Sequence, residues 1–177
     1  MLPTLLRFAV GAADHGELKS AFIKAALGGV TRAELASWTA RFVPQLIAHG
    51  VRQDALACLA RHRARRDLLV LMSASVDLYV PAIGAALGFD ATLCTPVRWN
   101  GEHLDGALAG ANLRGAEKAR ALKELRSRHP GRLITAYGNA ASDLGHLCLA
   151  DHGVLVNGAA RTRRAAVHLG LECVHWR

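Results

Sequence analysis

Aromatic side chains are scarce in this 177-residue sequence: Phe, Trp and Tyr together supply 5% of it. Packing must therefore rest on aliphatic residues, and Ala, Leu and Val dominate a chain that is 51% hydrophobic, the profile of a helix-rich soluble protein. The four cysteines, Cys58, Cys94, Cys148 and Cys173, are scattered with no C-x-x-C spacing. Neither a zinc knuckle nor a redox pair is suggested, and buried free thiols are the expected state. No apolar run approaches the roughly 18 residues that a membrane span requires. The start, Met1-Leu2-Pro3-Thr4-Leu5-Leu6-Arg7, lacks the basic n-region and small-residue cleavage site of a signal peptide, so the expected location is the cytoplasm.

Acidic residues are the minority, and the formal net charge is +8. Such an excess can mark a polyanion partner. The arginines, however, fall in two helical clusters, Arg61/Arg63/Arg65/Arg66 and Arg161/Arg163/Arg164, without interleaved aromatics. Solvated helix faces explain them as well as RNA does, so charge alone argues weakly for nucleic acid. The length suits one domain, or a core with a small appendage.

The first part of the chain has helical periodicity. Leu18, Ala21, Phe22, Ala25 and Ala26 form an apolar stripe closed by Gly28-Gly29. Thr31 with Glu34 three residues on predicts a capping box, opening a helix interrupted or bent at Pro44. A third helix is predicted from about 51 to 65. From Asp67 the pattern becomes an alternation of strand and helix. Leu68 to Met72 is a continuous apolar run, as in a parallel strand covered on both faces. A helix over 76–87 stops at Gly88. Segments 91–98 and 103–107 predict a hairpin or paired short strands around Asn100-Gly101. Helices are expected at 115–129 and 159–169, and strands at 133–136, 154–156 and 172–176. This order implies an α/β fold with an open parallel sheet, whose ligands sit beyond the carboxyl ends of the strands.

Three segments in that order carry chemistry. Ser73-Ala74-Ser75 offers two hydroxyls and successive amides where a strand is expected to turn into a helix, a setting that suits a phosphate; a plain serine N-cap is the alternative. Lys118 falls in the first turn of its helix, where the dipole disfavours a cation. A phosphate would account for it, and so would a surface pairing with Glu124. Asn139 and Asp143, four apart in a Gly-containing turn after a strand, are hard oxygen donors suited to Mg²⁺; an Asx turn leading to a helix cap is the alternative.

Taken together, these segments resemble the haloacid dehalogenase (HAD) superfamily, in particular its phosphoserine-phosphatase-like branch (subfamily IB). Ser73, in Leu-Met-Ser-Ala-Ser, is similar to the second family motif, whose Ser or Thr hydrogen-bonds the transferring phosphoryl group. Lys118, in Gly-Ala-Glu-Lys, resembles the third-motif lysine. Tyr-Gly-Asn-Ala-Ala-Ser-Asp resembles the fourth motif, whose acids hold Mg²⁺, with Asn139 standing where an acid is usual. The resemblance implies a HAD-like Rossmannoid sheet flanked by helices, an N-terminal helical cap over residues 1–50 and a core over 51–177. It further implies Ser73 and Lys118 as catalytic residues, Ser73, Ala74, Ser75 and Lys118 as the phosphate site, Asn139 and Asp143 as metal ligands, and Mg²⁺ as cofactor. All of these are expected at the strand ends.

The first family motif, Asp-x-Asp-x-Thr, supplies the nucleophile, and no Asp-x-Asp occurs anywhere in this sequence. The leading expectation is thus a phosphatase for a small phosphorylated metabolite, acting through an aspartyl-phosphate, whose sequence here begins after the nucleophile motif and its core strand. An inactive phosphate-binding scaffold on the same fold is the first alternative, and a basic nucleic-acid-binding module the second. The resemblance places the missing strand between those bearing Ser73 and Asn139, so self-association through an exposed sheet gap is expected, with no membrane partner.

Overall fold

A computed structural model describes residues 14–177; the start of the expected cap and the Met1–Arg7 segment lie outside the described residues. The chain forms two compact units, one of residues 14–51 and 62–113 and one of 52–61 and 114–177.

In the first unit, α1 (His15–Leu27) and α2 (Arg32–Gly50) each begin at a complete capping box. Asp14 and Glu17 close the first, and Thr31 and Glu34 the second, as expected for the latter. In both boxes orphan amides at the helix start are satisfied locally. Pro44 does not interrupt α2, which runs continuously to Gly50. Strand β1 (Val70–Val76) pairs in parallel with β2 (Ala91–Thr95), and α4 (Val80–Ala86) connects them. Helix α3 (Gln53–Ala64) precedes β1. The expected hairpin around Asn100-Gly101 is β3 (Val97–Asn100) with β4 (His103–Leu108), whereas 91–95 belongs to the parallel pair. Ile23, Val76, Leu78, Val97 and Leu104 are the buried centre of this unit.

The second unit is a three-stranded parallel sheet in the order β5 (Thr135–Gly138), β6 (His152–Val156), β7 (Glu172–Val174). Helix α5 (Ala116–Arg128) precedes it, α6 (Leu144–Leu147) joins β5 to β6, and α7 (Ala160–His168) joins β6 to β7. Val154, Leu155 and Val156 on the middle strand are all buried, as the unbroken apolar run requires. Leu155 packs with Ala136, Leu147 and Ala166; Leu147 and Ala166 are wholly inaccessible. The β5 strand begins two residues later than expected, leaving Leu133 exposed. Among the described residues β1 has β2 as its strand partner and β5 has β6, so each presents an edge.

The architecture is α/β, with parallel sheets flanked by helices. All four cysteines are free, but only Cys58 is buried; Cys148 is exposed, against the expectation of uniformly buried thiols, because it lies at the open end of the short α6. The seven arginines of the two clusters are exposed. No helix among the described residues is long and apolar enough to cross a membrane.

Candidate active site

Ser73, Ala74 and Ser75 lie inside β1, not at a strand-to-helix turn. The ladder explains their presentation. Met72 pairs with Leu93 and Val76 with Thr95, so β1 carries two more residues over this interval than its partner. The surplus is a bulge, which interrupts pairing and turns side chains out of the regular alternation. Helix α4 starts only at Val80, and its N-cap Tyr79 makes no side-chain cap bond. The expected phosphate cradle at a helix N-terminus is therefore corrected to a strand bulge. Its internal geometry is defined: the Ser75 amide donates to Ser73 Oγ at 3.1 Å. Beyond it, Asp77 and Leu78 line a largely apolar groove of about 620 Å³ with Val43, Thr39, Arg32 and Trp99. The Arg32 guanidinium stacks 4.1 Å from the Trp99 ring centre. Burial pushes the half-buried Asp77 carboxyl up, against the Val97 amide that donates to it.

The second unit holds the other residues. Gly115 has positive φ and opens α5, so Lys118 falls in the first turn as expected. Its Nζ donates to Asp143 Oδ1 at 2.8 Å, with both side chains almost wholly out of solvent. Glu124, the alternative partner, pairs instead with Arg128. The other carboxylate oxygen, Oδ2, accepts the backbone amides of Asn139 and Ala140 at 3.0 Å each. Asp143 thus ties the turn after β5 to the start of α5. Gly138 is required there: a Cβ on it would lie 2.6 Å from the Asp143 Cβ. Burial pulls the Asp143 carboxyl upward, but the Lys118 hydrogen bond and charge, with the two amides, outweigh it and hold it below the usual carboxylate range.

His146 is a residue of this centre that sequence reasoning did not single out. It is almost fully buried, and its Nδ1 lies 4.0 Å from Asp143 Oδ1 with no hydrogen-bond partner among the described residues. The ring bonds to the Tyr137 backbone. Burial first, then the Lys118 charge, lower its pKa, against the opposing pull of Asp143 and of the Tyr137 bond, so the ring is neutral. The available signal was a histidine three residues after Asp143 between Leu144 and Leu147.

The structure thus brings Lys118, Asp143 and the Asn139 backbone together, whereas Ser73, Ala74 and Ser75 belong to the first unit. Asn139 is exposed, and it carries a side-chain amide oxygen as Asp143 carries a carboxylate. Such oxygen donors fit Mg²⁺ in kind, since that ion takes one or two protein oxygens and keeps several waters. No cluster of three or more His, Cys, Asp or Glu residues suited to a metal occurs among the described residues.

The description of haloacid dehalogenase-like hydrolases matches residues 2–147. The chain belongs to that family. Protein CicA of Caulobacter vibrioides is 32% identical over 139 residues, 78% of this chain, and the chain spans only 62% of that relative's length. Among solved structures, a Bordetella pertussis protein described as of unknown function superposes with a TM-score of 0.83 at 18% identity, covering 97% of this chain and 79% of that one. A probable phosphoserine phosphatase from Vibrio cholerae gives 0.77 at 15% identity, covering 98% and 50%. A phosphoserine phosphatase carrying a phospho-aspartyl intermediate analogue gives 0.69 at 15% identity, covering 97% and 78%. At these identities the structural likeness establishes the fold, which is that of phosphoserine-phosphatase-like HAD hydrolases.

Proposed function

We propose that this chain is the phosphoryl-handling part of a HAD phosphatase for small phosphomonoesters. The observation that carries the reading is the buried Lys118–Asp143 pair. A lysine in the first turn of a helix works against the helix dipole, and here it is fixed by a carboxylate that is itself held by two backbone amides. In this reading the pair offers a fixed positive charge to a phosphoryl group as negative charge develops on it, at no reorganisation cost during reaction.

In this reading Ser73 donates its hydroxyl to a phosphoryl oxygen, the Ser73–Ser75 bulge lines the phosphate, and Lys118 neutralises it. Asn139 and Asp143 would hold Mg²⁺, which supplies further charge neutralisation when bound. The groove that starts at Asp77, two residues past Ser75, suits the non-phosphate part of a compact, mainly apolar alcohol. The helices of residues 14–50 act as the cap. The nucleophile, by family resemblance an aspartate of an Asp-x-Asp-x-Thr segment, is not among these residues, so the 177-residue chain by itself binds phosphate without turnover. The edges of β1 and β5 that have no strand partner among the described residues favour self-association, which sedimentation over a concentration series would reveal.

The test is hydrolysis of a panel of small phosphomonoesters, with and without Mg²⁺, by this chain and by a longer one carrying the Asp motif ahead of it. The longer protein should turn over, and Lys118→Ala should lower its kcat by several orders of magnitude, about 10³-fold or more. Robust turnover by residues 1–177 that survives Lys118→Ala would refute the reading.

A further inference from the structure

The bulge that presents Ser73 is held from behind by side chains to which nothing above gives a role. The Ala74 carbonyl, at its centre, accepts hydrogen bonds from Lys19 Nζ on α1 and from Thr95 Oγ1 at the end of β2, the latter at 2.9 Å. Thr95 is completely buried, and the Leu113 amide donates to its hydroxyl at 3.0 Å. Because Leu113 supplies that donor, the Thr95 proton is free for an acceptor, the Ala74 carbonyl at 2.9 Å being nearer than Asn112 Oδ1 at 3.3 Å. Asn112 Oδ1 accepts from Lys19 as well. A helix residue, Lys19, and a strand residue, Thr95, thus meet at one backbone oxygen, and the loop residue Asn112 ties to both of them.

The peptide between Ala74 and Ser75 is planar and trans, so its C=O and N–H point in opposite directions. Two donors on the carbonyl therefore fix where the Ser75 N–H points, and it points at Ser73 Oγ. A serine hydroxyl is ordinarily a free rotor that both donates and accepts. With one lone pair of Ser73 Oγ occupied by that amide, its own proton is directed elsewhere and is left for an external acceptor. A donor aimed before the ligand arrives spends no free energy on orientation when it binds.

We propose that Lys19 and Thr95 are positioning residues: by clamping the Ala74 carbonyl they aim the Ser75 amide at Ser73 and so orient the Ser73 hydroxyl toward a phosphoryl oxygen. This rests on the reading of Ser73 as a phosphoryl donor. An ordinary structural tie between α1 and β1 would stabilise the unit but would not act through Ser73, and a double-mutant cycle separates the two.

The experiment measures the dissociation constant for inorganic phosphate, by calorimetry on the whole chain, together with hydrogen exchange of the Ser75 amide by NMR. Lys19→Met, which keeps the bulk of a half-buried side chain, should weaken phosphate about tenfold and speed Ser75 exchange by a similar factor. Thr95→Ser should retain affinity and Thr95→Val should not. Once Ser73→Ala has been introduced, Lys19→Met should cause no further loss. Additive losses in that background, or Ser75 protection unchanged by Lys19→Met, would overturn the proposal. Absence of phosphate binding, or affinity indifferent to Ser73→Ala, would instead overturn the role of Ser73 itself, and the relay with it; the exchange measurement still reports whether Lys19 holds the bulge.

Discussion

Each unit holds a lysine that ties separate elements together, and the two are used in different ways. Lys118 meets a carboxylate, in an ion pair whose side chains are 13% and 6% exposed. Among the partners of Lys19 are two carbonyl oxygens, and Thr95 Oγ1 lies within hydrogen-bond distance of both. Removing the first lysine strands a buried negative charge, whereas removing the second leaves a neutral dipole that is still hydrogen-bonded. The comparison separates a centre held by charge from one held by direction. The former should be sensitive to the protonation state of its partner.

Lys118→Met sharpens the contrast most. It should cost about 3–5 kcal/mol in urea unfolding, the usual penalty for leaving one partner of a buried pair alone. The corresponding Lys19→Met should cost only about 1 kcal/mol. Equal losses would erase the distinction. Gly138→Ala comes next, because the added methyl must displace the Asp143 Cβ; about 1–3 kcal/mol is expected from overpacking, together with weaker protection of the Asn139 amide in hydrogen exchange.

The pH dependence follows from the signs of two shifts. Asp143 has a folded pKa below its unfolded value, so its contribution is complete above the unfolded value of about 4 and is lost as pH falls through the folded one. His146 is also depressed: below its unfolded value of about 6.5 the unfolded chain takes up a proton that the folded ring refuses. The charge-held centre should therefore lose stability in two stages as pH drops, the first beginning near 6.5, when monitored by urea melts across pH. His146→Leu should have the smallest effect of the series, within about 1 kcal/mol at neutral pH, because it removes one bond to the Tyr137 backbone and a second ring nitrogen without a partner among the described residues. It should abolish the first stage and spare the second.

Local chemistry was the legible part of this sequence. The Thr31–Glu34 box, the Asn100-Gly101 turn and the strand at 154–156 depend on near neighbours, and they stand where the pattern put them, whereas the apolar run at 68–72, expected to be covered on both faces, leaves Leu68 exposed ahead of β1. The bulge was not legible, because it is defined by the partner strand: nothing in Ser73-Ala74-Ser75 reveals that β2 advances two residues while β1 advances four. Two serines after an apolar run are good helix caps, and that local preference misplaced the start of α4. Lys118 and Asp143 are 25 residues apart, so spacing alone could not join them, and family resemblance supplied the link. His146 escaped for another reason. Periodicity assigns a histidine to a face but says nothing about whether its nitrogen finds a donor.

The bulge has one more consequence, which concerns how such a strand can change length. Its surplus is an even number of residues, so Met72 and Val76 keep the same inside–outside parity as Leu93 and Thr95. Side chains alternate with a period of two, and an even excess therefore leaves both flanks of the strand facing the way they would in a flat ladder. A pair of residues can be lost or gained at the loop without turning Val70–Met72 or Val76 inside out, while a single deletion would invert one flank against the core. The bulge and the strand that carries it are thus separable in length, and the framework can outlive the bulge.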